Sequence, residues 1–211
     1  MLALKPASFA TTLLPTIWPR FLAMLAVLTK TTLIPLTHQI MLQLWLLASF
    51  SMDGFAVTAT ALGAKLVGQR RFEEHLVLCK RLVVLGGAMG VLVSFCYLVG
   101  QRPILYFFSQ DMSLHTQLKT LWLLLVLTQP LNGLLYVLDG VLLGCKQFSF
   151  IRKVIVEGLV FVFLPLIVYG YYSSMSLLYL WVCLFALNLY RLAFGFCRVF
   201  LVNIKHSTFV N

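Results

Sequence analysis

Long apolar runs, broken by short basic or turn-forming stretches, dominate the chain and predict an all-α integral membrane bundle of about six transmembrane helices. The first run, about Ser8 to Lys30, carries Pro15, Pro19 and Arg20, each unfavourable in a straight lipid-facing helix. The expected division is thus a first helix in residues 1–30 and five more helices of one lobe in 31–211. The second helix spans about Leu36 to Val67. Gly68 to Arg81 reads as a polar connection; its Phe72, Leu76 and Cys79, at i, i+4 and i+7, predict that part of it lies along the membrane surface. The third span, about Leu82 to Gly100, has Gly86 and Gly90 at the spacing that lets helices approach closely. Arg102-Pro103 ends it, YFFSQD reads as an interfacial turn, and Ser109 or Asp111 is the expected N-cap of a fourth helix running to Gly144. The fifth follows Lys146, Arg152 and Lys153 and reaches Tyr171. The sixth runs from about Leu177 to Leu201.

Polar positions inside these runs mark the candidate chemistry. In TQPLNGLLYVLDGVLLGCK, residues 128–146, Asn132 and Asp139 are seven residues apart, so roughly 20° separates them around the helix, with Tyr136 between them on nearly the same face. A charged Asp at the centre of a membrane helix costs about 2.5–3.5 kcal/mol, so such a residue faces a partner or a wet cavity. Pro130 predicts a bend whose freed backbone groups face a cavity, and Gly140 and Gly144 form a small-xxx-small pair. On the second helix Ser49, Asp53 and Thr60 form one polar stripe. Asp53 lies roughly 18 Å from the Lys65 end, near the bilayer midplane. Met52-Asp-Gly-Phe and Leu138-Asp-Gly-Val form a faint internal echo on two helices of like direction. Glu157, four residues after Lys153, is expected to pair with it at the membrane edge, and Arg191 to snorkel toward the end of the last helix.

Composition sharpens this picture. The 211 residues are 61% hydrophobic and only 10% charged, too few charges to cover a water-facing surface. Lys and Arg number 16 against 6 Asp and Glu, but they gather in short loops between apolar runs, which is the pattern of cytoplasmic helix ends rather than of a nucleic-acid partner. The connections after the second and fourth helices and the C-terminus hold most of them. Those segments, with both termini, are expected on the cytoplasmic face, or the stromal or matrix face in an organelle. Five scattered cysteines without a Cys-x-x-Cys pair, and four histidines without ligand spacing, predict no disulfide framework and no metal site. The opening MLALKPASFATTLLPTIWPR lacks the apolar core of a secretory signal. No nucleophile–base pair or phosphate loop stands out, which argues against an enzyme and against catalytic residues or a bound cofactor.

Three segments together, THQIMLQLWLLASFSMDGFAVTATALGAKLVGQRR, TQPLNGLLYVLDGVLLGCKQFSF and LWVCLFALNLYRLAFGFCR, resemble the multidrug and toxic-compound extrusion (MATE) family. The likeness is strongest to its DNA-damage-inducible-protein-F-like and plant-type branch, in the family's C-terminal half. It implies one six-helix lobe of a secondary antiporter that exports a drug, toxin or organic acid in exchange for H+ or Na+. The expected partners are membrane lipid, a small organic substrate, and an N-terminal lobe or a second copy of the chain. The expected location is a membrane: the plastid envelope, another organelle membrane or the plasma membrane. Asp53 and Asp139 are then the coupling candidates, since an acid in a cavity can load and release a proton. Ser49, Thr60, Gln129, Asn132 and Tyr136 are the cavity-lining candidates, with Gln39 as a weaker one. Two alternatives stand beside this reading. One is a lipid or precursor flippase of the same superfamily, with Arg20 and Lys30 as its cations. The other is a truncated or non-transporting membrane protein.

Overall fold

The computed structural model describes residues 33–202 apart from 109 and 173–175, so the expected first helix and the Ser109 cap lie outside the described residues. The described chain is helical throughout: α1 Leu33–Gly68, α2 Phe72–Val99, α3 Gln101–Phe108, α4 Met112–Gly144, α5 Phe148–Gly158, α6 Leu164–Tyr172 and α7 Leu177–Phe196. A π-helical turn, Leu159–Phe163, joins α5 to α6, and another, Cys197–Val202, prolongs α7. The first π turn has a local cause, since Pro165 just beyond it has no N–H to offer an α ladder. Four helices are long and apolar enough to cross a membrane: Leu36–Gly68, Phe72–Val99, Met112–Gly144 and Leu177–Phe200. Their outer faces present large apolar side chains such as Phe50, Val84, Phe95 and Leu123, as lipid requires.

The polar stretch after α1 departs from expectation. Only Gln69–Arg71 connect the helices, and Phe72–Arg81 form the first turns of α2 rather than a segment lying on the membrane. Tertiary packing decides this, because His75 and Cys79 are buried against α4's end, where Cys145 Sγ lies 3.5 Å from His75 Nε2. Glu73 and Glu74 in the first turn suit the positive end of the helix dipole, and Glu74 pairs with Arg71. Tyr106–Phe108 of YFFSQD likewise form the last turn of the short helix α3, while Asp111 caps α4 as expected, accepting from the Ser113 N–H at 2.9 Å and its hydroxyl at 2.8 Å.

Helix α4 is the axis of the bundle. It packs against α1, α2 and α7, and it is buried along most of its length. Small residues bring the backbones together, as the glycine spacing predicts. A Cβ on Gly86 would lie 2.9 Å from the Gly133 carbonyl oxygen, and one on Gly90 would lie 2.6 Å from Pro130 Cα. Pro130 sits inside α4 and leaves the carbonyl four residues earlier, that of Val126, without its helical donor. The Ser94 hydroxyl of α2 donates to that carbonyl at 2.7 Å. The freed group is therefore satisfied by a neighbouring helix and does not open onto a cavity.

Helices α1 and α4 end alike. After each, a basic residue adopts the left-handed conformation, Arg70 at φ 59° and Lys146 at φ 57°. The N–H groups of Arg70 and Arg71 return to Val67 and Leu66, and those of Lys146 and Gln147 return to Leu143 and Leu142. Both are Schellman closures, and each is followed one or two residues later by a helix that opens on Phe72 or Phe148. The pattern GQRRF and GCKQF is a stronger internal echo than the repeated Asp-Gly.

Candidate functional site

Asp139, Tyr136 and Asn132 lie on one side of α4, which packs against α1 and α7. Asp139 on α4 and Arg191 on α7 form an ion pair, Arg191 Nη2 donating to Asp139 Oδ2 at 2.6 Å. The Arg191 side chain is 11% exposed and that of Asp139 31%, so the pair lies between helices with one edge open. Arg191 therefore reaches inward to a carboxylate and does not snorkel to the helix end, because a partner 52 residues away in sequence neutralises it. The cleft beside the pair measures about 10 Å3, close to the smallest that holds a water molecule, and is otherwise lined by apolar residues such as Leu142, Phe150 and Ile155.

Higher on the same face of α4, Tyr136 turns toward α1, its ring 6.4 Å from that of Trp45. Asn132 and Gln129 are buried; the Asn132 amide donates to Gln129 Oε1 at 3.4 Å, and the Gln129 amide donates to the Leu125 carbonyl at 2.9 Å. Asn132, Tyr136 and Asp139 do share one side of α4, but their partners belong to different helices.

The stripe on α1 divides in the same way. Ser49 is buried and its hydroxyl donates to the Trp45 carbonyl of its own helix at 2.9 Å. The Thr60 hydroxyl donates to the Ala56 carbonyl at 2.9 Å and to the Gly140 carbonyl at 3.0 Å, bonding α1 to α4. Asp53 stands at the rim of this contact and is exposed, with Phe50 and Val57 exposed beside it, as is the weaker candidate Gln39. Asp53 and Asp139 thus occupy different surroundings: one on an open face, the other paired across the bundle.

Three further side chains were not among the site candidates drawn from the sequence. Arg191 was visible as a cation inside an apolar run, and Asp139 as its opposite charge, but nothing local joins them. His38 and Trp181 are the others. Both are buried, their rings meet edge to face at 5.7 Å, and among the described residues neither His38 nitrogen nor the Trp181 Nε1 has a hydrogen-bond partner. Glu157 does pair with Lys153, at 3.7 Å, as the i, i+4 spacing predicts. No group of three metal-ligating side chains that could hold an ion occurs among the described residues.

The profile of the MatE family matches residues 9–169. Among curated proteins, Protein DETOXIFICATION 42 of Arabidopsis thaliana is 30% identical over 166 residues, covering 76% of this chain and 31% of its own length. Protein DETOXIFICATION 43 of the same plant is 29% identical over 112 residues, 53% of this chain and 21% of that protein. The chloroplastic Protein DETOXIFICATION 44 is 27% identical over 113 residues, 54% of this chain and 22% of that protein. The chain thus spans about a third or less of the length of the curated relatives it matches.

Proposed function

This chain belongs to the MatE family of multidrug and toxic-compound extrusion proteins, whose members are membrane transporters and not enzymes, and from that premise we propose that it forms one lobe of a secondary active antiporter. In this reading it exports a small organic compound, a drug, toxin or organic acid, in exchange for H+ or Na+. The observation that carries the proposal is the Asp139–Arg191 pair: a carboxylate held between membrane helices that are otherwise apolar, with one edge open. A carboxylate in that setting can exist paired and charged or protonated and neutral, which is what coupling to a proton gradient requires. Asp139 is the acid assigned to coupling, with Asn132 and Tyr136 on the same side of its helix.

Asp53 supplies the argument for a partner lobe. An exposed carboxylate among exposed apolar side chains is unfavourable against hydrocarbon by about 2.5–3.5 kcal/mol, so a polar surface belongs opposite it. An N-terminal lobe or a second copy of this chain would serve, and alternating access by rocking of one bundle against another needs such a second body. The chloroplastic relative supports a plastid membrane, the envelope included, over the plasma membrane.

The test is export from proton-loaded vesicles containing the chain together with an N-terminal lobe. Asp139→Asn, which keeps shape and loses titration, is expected to insert normally and to lose pH-driven export. Export that keeps its pH dependence in this variant would overturn the coupling assignment.

A further inference from the structure

We infer that Arg191 is a positioning residue for Asp139, an internal counter-ion that holds α7 against α4 while the carboxylate is ionised and lets go when a proton takes its place. The inference rests on reading Asp139 as the acid of a transport site, and it adds what the proton displaces. The geometry leads there directly. Arg191 Nη2 and a proton would compete for the same carboxylate, whose Oδ2 the guanidinium occupies at 2.6 Å. A protonated carboxyl keeps a hydrogen-bonding oxygen but loses the charge that offsets the buried guanidinium. Breaking one side of such a pair costs far more than the pair contributes when whole.

The other titratable and charged groups on the neighbouring elements have other contacts or stand exposed. Glu157 on α5 pairs with Lys153. Arg198 on the π turn after α7 donates to Gln147 Oε1 at 3.1 Å. Asp53 on α1 is exposed, His75 on α2 sits against the Cys79 and Cys145 thiols, and the Tyr190 ring lies 4.4 Å from that of Phe194. Arg191 is thus the charge that faces Asp139.

The α-helical ladder of α7 gives way to a π turn at Cys197, six residues beyond Arg191, and π turns within helices are frequent at functional sites. Between the two, Gly195 lies against Leu138 of α4: a Cβ there would stand 3.7 Å from the Leu138 Cβ. That separation is close to the ~3.8 Å of a disulfide, so a Leu138→Cys, Gly195→Cys chain reports whether α7 rests on α4.

The experiment uses this double-cysteine chain in membrane vesicles, with Cys96 and Cys197 changed to Ser, a copper–phenanthroline oxidant, and the specific bridge measured by peptide mass. At neutral pH bridging is expected to slow about tenfold in Asp139→Asn and in Arg191→Gln, as for a pair that is partly open to solvent, and to recover in Arg191→Lys. As pH falls, the ratio of parent to Asp139→Asn rates should shrink toward one, since thiol chemistry is common to both chains. Equal rates at neutral pH, or a ratio that ignores pH, would overturn the inference. Should Arg191→Gln fail to fold, the isosteric Asp139→Asn decides. The export assay separates this idea from the reading beneath it. Slow bridging with unchanged export keeps the latch and removes the transport role, whereas lost export with unchanged bridging removes the latch alone.

Discussion

Gly140 of α4 lies directly against Ala56 of α1, so that a Cβ at position 140 would stand 2.8 Å from the Ala56 Cα and 2.9 Å from its carbonyl carbon. One turn on, Gly144 meets Thr60 in the same manner, its Cβ position 2.9 Å from the Thr60 carbonyl oxygen. Between helices in lipid there is no hydrophobic drive to associate, so contacts of this closeness and the hydrogen bonds they permit are what hold the bundle.

Gly140→Val should therefore be costly, by about 1–3 kcal/mol for overpacking and more because the obstacle is backbone and cannot turn aside. Gly54→Ala, at a position with nothing within 4 Å, should be neutral or slightly stabilising. Denaturant unfolding in detergent compares the two. A Gly140→Val chain as stable as the parent would show that α1 and α4 do not pack through this glycine.

Thr60→Val keeps the side chain's shape and removes both hydrogen bonds, to Ala56 and to Gly140. The expected loss is about 0.6 kcal/mol of stability, the average for a side-chain hydrogen bond between membrane helices. Because this hydroxyl is spent on α4, substrate affinity in the export assay should not change. A large change in affinity with normal stability would move Thr60 back to the cavity.

Topology is testable by labelling. A cysteine placed at Gln69, in the basic turn after α1, should react only with reagent on the cytoplasmic-equivalent side. One at Ser176, before α7, should react only from the opposite side, since α2, α4 and the α5–α6 run lie between them. Labelling of both from one face would mean that the α5–α6 run, with its π turn, does not cross the membrane.

Asp111 offers a pH dependence outside the membrane spans. Hydrogen bonds from the Ser113 hydroxyl and N–H hold its carboxyl below the usual carboxylate range. A folded-state pKa below the unfolded one means that the cap stabilises α4 above the unfolded pKa and ceases to as pH falls through the folded one. Asp111→Ala should thus lower the melting temperature at neutral pH, with the gap to the parent closing in strong acid. A gap that stays constant across that range would show that the stabilisation does not depend on the ionised carboxylate.

By itself the sequence determined what is local. Hydropathy and period are properties of a segment, and from them came four of the six expected spans, the end of α4 at Gly144, the Asp111 cap, the Lys153–Glu157 pair and the glycines that face other helices. Of the other two spans, the first lies outside the described residues, and the fifth is broken by the π turn at Leu159–Phe163. Where a segment's fate depends on what lies against it, the tertiary structure decided. Phe72–Arg81 is polar enough to read as a surface connection, yet burial of His75 and Cys79 beside Cys145 draws it into α2. The carbonyl freed by Pro130 meets Ser94, 32 residues away, and Thr60 meets Gly140, 80 residues away. Asp139 could be singled out as an acid needing a partner, but Arg191 is 52 residues distant. An arginine near a helix end has two ways to satisfy its charge, water at the interface or a carboxylate within the bundle. Only the packing of α7 on α4 selects between them.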